Sequence, residues 1–164
     1  MTESAEIVVS TKDYLFATWQ HLMLAVWRGH TTMDGVREGQ RVFHEHIKNH
    51  PGGVLLLTVV EDGAPMPDAD ARNELGKLLQ SGAGHTKKSA VVYEGEGFRA
   101  AAVRSVVTGI LVFSKPPFPH KVFARVAEAA GFLASEGGQI TGKQLADLVH
   151  DVRERSKKAL ASTG

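Results

Sequence analysis

Gly95, Gly97 and Ala100 stand in the spacing G-x-G-x-x-A, between the apolar run VVY and the apparent helix FRAAAV. Chemistry is conceivable there, because glycine lets a backbone approach a pyrophosphate and a helix N-terminus offers amide donors. The neighbours argue otherwise. Glu94 and Glu96 would flank a bound anion with like charge, and the region about twenty residues on, where an acidic ribose ligand belongs, reads Ser114-Lys115-Pro116. No G-K-[ST] occurs anywhere in the chain. Gly95 and Gly97 are therefore read as a tight turn, Glu96 as a complement to the helix dipole, and no nucleotide or other cofactor is expected.

The eight histidines are the second reservoir of chemistry. His44, His46 and His50 cluster, and His46 and His50 are four apart, a spacing that puts two imidazoles on one helical face. HEHIKNH is not H-E-x-x-H, and no third metal ligand is identifiable. The plainer reading has these imidazoles on the flank and end of a helix, partly protonated and suited to the negative end of its dipole. There is no G-x-S-x-G elbow, and with this many histidines serine–histidine neighbours are inevitable. No catalytic residues and no metal site are assigned. A histidine-dependent hydrolase or metal enzyme is the enzymatic alternative to a non-enzyme.

Three further features suggest binding. In Glu61-Asp62-Gly63-Ala64-Pro65-Met66-Pro67-Asp68, the carboxylates Glu61, Asp62 and Asp68 offer fixed negative charge to a protein partner, or dipole compensation at a helix start. Phe118 sits between Pro117 and Pro119, either packed on the domain or projecting as an anchor. The segment Phe98 to Phe113 reads as a largely buried helix, apolar nearly all round, beneath which Val103, Val107 and Leu111 could line a pocket for a small apolar ligand. Arg99 and Arg104, near its start, are candidates for anion contact or for pairing with Glu94 or Glu96.

The elements that must position these residues follow from period and punctuation. Glu6 to Val9, Tyr14 to Trp19 and Leu22 to Trp27 read as strands, the last two joined by a Gln20-His21 turn. Met33, Val36, Phe43 and Ile47 put a helix over Met33 to Asn49, capped by Thr32 and ended by Pro51-Gly52-Gly53. Val54 to Val60 has the composition of a strand covered on both faces. A helix from about Asp68 to Gln80, a strand Ser89 to Tyr93, the helix Phe98 to Phe113, a strand Lys121 to Ala124 and a helix Arg125 to Ala134 complete an alternation that implies crossovers and a parallel sheet. The fold class is thus α/β, a mixed sheet with antiparallel N-terminal edge strands, flanked by helices. Residues 1–136 form this domain. Residues 137–164 add an amphipathic helix, with Thr141 and Gln144 as a capping box and Leu145, Leu148, Val149 and Val152 as the apolar stripe that packs on it.

Composition excludes several classes. The 164 residues carry 19 Lys and Arg against 18 Asp and Glu, a formal charge of +1, so a nucleic-acid partner is not expected. With no cysteine, thiol catalysis, thiolate-bound zinc and disulfides are impossible. MTESAEIVVS lacks the basic, then apolar, pattern of a secretory signal, and no apolar stretch is long enough for a membrane span. A soluble cytoplasmic protein is the expectation.

The order of elements, with VLLLTVV, SAVVYEG, GFRAAAVRSVV and the closing KVFARVAEAAGFL, resembles the STAS domain in its SpoIIAA-like, anti-anti-sigma-factor-like branch over about residues 6 to 135. The most telling piece is the ending, a strand closing on Val122-Phe123, a helix with Glu128-Ala129, and then Phe132-Leu133. The resemblance implies a non-enzymatic role in signalling through protein contacts or self-association; some relatives of the fold, including the Sec14-like proteins grouped beside it, bind apolar ligands. The family's switch is a phosphorylated serine at the helix after the central strand. No Ser or Thr occurs between Thr58 and Ser81, so that switch cannot operate here.

Overall fold

The computed structural model describes residues 4–97, 100–105, 107–108, 115–134 and 140–163. Three strands open the chain, β1 (Glu6–Ser10), β2 (Tyr14–Trp19) and β3 (Leu22–Trp27). Helix α1 (Met33–Asn49), strand β4 (Val54–Val60), helix α2 (Ala69–Ser81) and strand β5 (Thr86–Tyr93) follow. Helical residues at 100–105 and 107–108, called α3, precede β6 (His120–Phe123), α4 (Val126–Ala134) and α5 (Gly142–Ser162).

The six strands form one sheet in sequence order, β1 to β6. β1, β2 and β3 pair antiparallel, and β3, β4, β5 and β6 pair parallel. This is the mixed α/β sheet that the alternation implies. At the β2–β3 turn Trp19 pairs with Leu22, and Gln20 takes φ 50, a left-handed conformation that costs a side-chain-bearing residue free energy.

Period-two burial divides the sheet into two packed faces. Leu55, Leu57 and Val59 of β4 pack with Leu15, Leu24, Val26, Val92 and the buried residues of α4 and α5. Val54 and Leu56 pack with Phe16, Met23, Trp27 and the α1–α2 layer, where Phe43 is fully buried. Full burial of such a side chain contributes about 1.5–3 kcal/mol through area removed from water. Leu145, Val149 and Val152 place α5 within the first of these clusters, while Leu148 is only partly buried. The capping box of Thr141 and Gln144 forms as its spacing demands.

One helix departs from expectation. In α3, Ala101, Ala102, Ser105 and Thr108 are exposed, and Val103, Arg104 and Val107 are half-buried, so the described part is not the largely buried helix read from its composition. The cause is topological: α3 joins β5 to a four-residue edge strand, which leaves little sheet to cover it.

Candidate functional site

The three inner parallel strands end in register. Trp27 pairs with Val60, and Val60 with Tyr93, so the next residues, Arg28, Glu61 and Glu94, stand side by side at the carboxyl ends of β3, β4 and β5. The backbone ladder carries on into them, with Glu61 N–H donating to Trp27 O and Glu94 N–H to Val60 O, both at 2.9 Å. In α/β sheets this end is where ligands bind.

Here α5 covers it. The Arg153 guanidinium donates from Nη1 to Glu94 Oε2 at 3.0 Å, and from Nη2 to Glu94 Oε1 at 2.7 Å and to Glu61 Oε2. One turn on, Ser156 Oγ accepts from Arg28 Nη2 at 2.6 Å and shares a 2.6 Å hydrogen bond with Ser10 Oγ. Burial works against the charge of Arg153, but the hydrogen bonds and charge of Glu94, and then Glu61, outweigh it and raise its pKa. Burial lowers the pKa of Arg28, opposed by Glu61.

This arrangement reassigns much of the acidic loop. Glu61 is paired within the chain, and Asp68 is the N-cap of α2, accepting from Ala71 N at 2.9 Å. Asp62 and Asp68 are both exposed, and Asp62 has neither duty. It lies against Gly95, where φ is 129° and an added Cβ would come within 2.8 Å of Asp62 Oδ1. Gly97 also has positive φ, at 98°, so both glycines serve the turn. Arg104 does not pair with Glu94 or Glu96. Its Nη1 donates to the carbonyls of Tyr93 at 3.0 Å and Gly95 at 3.2 Å, holding that turn against α3. Arg99 and Leu111 lie outside the described residues.

Beside Arg104 a groove of about 660 Å³ opens between α3 and the β6–α4 junction. Ala101, Arg104, Ser105 and Thr108 form one wall, Val122, Phe123 and Ala124 the floor, and Glu128 the far side. The wall residues recur at three, four and seven, a single helical face. Val103 and Val107, on the adjacent stripe, are half-buried and do not line it. Phe118 is 8% exposed, with its ring centroid 6.4 Å from that of His120, so as placed it presents little surface to a partner.

His21, His50 and His120 stand at the amino ends of β3, β4 and β6, with His46 one turn before His50. His46 is 5% exposed, its ring centroid 4.3 Å from that of His50, whose Nδ1 lies 3.0 Å from the His46 carbonyl. Burial lowers the His46 pKa, which works against the protonated form expected at the helix end. Burial and then Lys87 and His50 lower that of His21. His44 instead reaches Ser81, with Nε2 3.0 Å from Oγ. Among the described residues no group of three or more His, Asp or Glu is placed to hold a metal.

Arg28, Glu94, Arg153 and the groove residues Ser105, Thr108 and Glu128 were not legible as site residues. One signal existed for the first two, each being the residue immediately after an apolar strand. Nothing local marks Arg153, which looks like any charged residue on an amphipathic helix.

Fold and groove together describe an α/β domain, a mixed sheet with a mixed-polarity cleft beside its carboxyl edge. No protein-family model and no curated protein matches the sequence. Among solved structures, the chain is similar to an uncharacterized protein of the DUF3478 family with a SpoIIAA-like fold, from Shewanella loihica PV-4. The two share 13% identity with a TM-score of 0.48, over 81% of this chain and 98% of that one.

Proposed function

We propose that this chain is a non-catalytic binding module, a carrier or sensor that holds a small, partly apolar ligand in the groove between α3 and the β6–α4 junction. The groove carries this reading: its 660 Å³ falls in the range of small-molecule sites, and its apolar floor is walled by a few polar groups. Its place beside the carboxyl edge of the sheet agrees with where α/β folds receive ligands. Supporting a non-catalytic role, the charged side chains at the strand ends are spent on one another, Arg153 on Glu61 and Glu94.

Native mass spectrometry of protein purified from its own host tests this. A small-molecule mass adduct is expected in the unaltered chain, absent from Ser105→Trp, which fills the groove from an exposed position. An adduct that survives Ser105→Trp would remove the groove from consideration.

A second reading, protein docking in a signalling role, draws on the loop at 62–67. Met66 is 44% exposed between two prolines, in the same loop as exposed Asp62. An exposed apolar tip with an adjacent charge suits partner capture. Met66→Ser with Asp62→Lys would abolish capture of a partner while thermal stability stays unchanged; undiminished capture would dismiss this surface.

A further inference from the structure

Ser89 Oγ and His120 Nδ1 are both buried with no hydrogen-bond partner. Native interiors pair such atoms, so an orphan calls for an explanation. These two are not scattered. Ser89 and His120 are register partners across β5 and β6, so their side chains share one face of the sheet. Ser89 is 0% exposed.

That face supplies one side of the groove floor through Val122, while Phe123 supplies the other. Val91 and Val122, the next register partners on the same side, lie one pleat further along, about 7 Å on, and Val122 is part of the groove floor. The intervening residues point the other way: Ala90 packs in the α4–α5 cluster, and Lys121 Nζ lies 5.2 Å from the Phe132 ring centroid. Two unspent hydrogen-bonding atoms therefore stand on neighbouring strands, one pleat along from the groove residue Val122.

We propose that Ser89 and His120 form the polar end of a ligand site continuous with the groove, and that this site takes an uncharged alcohol. The inference rests on the groove being a ligand site and names the chemistry of its inner end. A hydroxyl both donates and accepts, so a single alcohol oxygen can donate to Nδ1 while accepting from the Ser89 hydroxyl. If the other imidazole tautomer is present, Nδ1–H donates to it and Ser89 accepts. Either tautomer satisfies all three groups.

Charge argues for an uncharged head. Burial lowers the His120 pKa to about 4, so the imidazole carries no charge near neutrality to attract an anion. Lys88 and Lys121 project from the opposite face. Arg104 binds the carbonyls at the far end of β5. A carboxylate would lose its hydration here without a cation to replace it.

The test is a titration of the isotope-labelled full chain with 1-hexanol, followed by NMR at the His120 imidazole, the Val122 methyls and the Ser105 amide. All three are expected to move with one saturable constant. Ser89→Ala and His120→Phe should each weaken binding at least tenfold, and hexanoate should bind at least tenfold more weakly than 1-hexanol. Ser89→Ala is the smaller change and keeps the test valid should His120→Phe fold poorly.

Val122 and Ser105 shifts without a His120 shift would overturn this inference and leave the groove standing. His120 shifts with Val122 and Ser105 silent would instead keep the polar pair and sink the groove. Silence at all three overturns both. An affinity unchanged by Ser89→Ala would mean that the pair holds an ordered water only, and equal binding of hexanoate would overturn the choice of an alcohol.

Discussion

The two ends of the parallel sheet handle buried charge in opposite ways. At the carboxyl end, Arg28 and Arg153 face Glu61 and Glu94, and each charge has an opposite neighbour. At the amino end, His21, His46 and His50 gather beside Lys87, all of one sign when protonated. The first end is held by charge and requires every member. At the second, burial favours the neutral form of His21 and His46.

Breaking the paired end should have the largest effect. Arg153→Met leaves the partly buried carboxylates of Glu61 and Glu94 with only Arg28, near Glu61, as a cation, at a cost of about 3 kcal/mol in urea unfolding. Arg153→Lys should recover less than half of that, because an ammonium cannot reproduce the forked contact with Glu94. A loss below about 1 kcal/mol would place this cluster among ordinary surface ion pairs.

Acid tests the unpaired end and the buried histidine of β6. The folded state holds the His120 pKa at about 4, below its unfolded value of 6.5. Its contribution to stability is therefore complete above pH 6.5 and is lost as the pH falls toward 4. By pH 5 this amounts to about 2 kcal/mol from His120 alone. His46 and His21, also lowered, add in the same direction. His120→Phe should flatten the pH dependence of urea unfolding between pH 7 and 5, and an unchanged slope would show that His120 is not neutralised by burial.

A smaller effect sharpens the contrast. Lys87→Gln removes one like charge from the amino end, and the His21 pKa should rise toward its ordinary value in an NMR titration, while Lys12→Gln, in the β1–β2 connection at the other end of β3, should leave it in place. Smallest of all, Gln20→Gly, at the turn just before His21, should relieve the left-handed backbone and raise stability by about 0.5 kcal/mol in thermal unfolding.

How much was readable follows from the range over which each feature is specified. Met33 to Asn49 and Val54 to Val60 agree with the structure to the residue, because the first carries a 3.6 period between a threonine cap and Pro51, and the second is an unbroken apolar run. β5 begins at Thr86 rather than Ser89, since Lys87 and Lys88 hide a strand whose register shifts between Val54 and Leu55. α3 misled for the opposite reason. Its alanines and valines look like core, yet a four-residue edge strand gives them little to cover.

The candidate site was less legible. Of the acidic loop, sequence identified the charges but not their employment. Asp68 caps a helix three residues on, which local spacing can suggest. Glu61 meets Arg153, 92 residues away, which it cannot.

By itself, then, the sequence determined the order and type of elements, the mixed sheet and the glycine turn at 95 to 97, because period, caps and positive-φ residues act within a few neighbours. The tertiary structure alone decided which groups share a site. Strand register set Arg28 beside Glu61 and Glu94, and Ser89 beside His120, while the docking of α5 supplied Arg153. Register and docking are settled by burying apolar faces on both sides of the sheet. Polar residues carried along by those faces meet partners that no local pattern names.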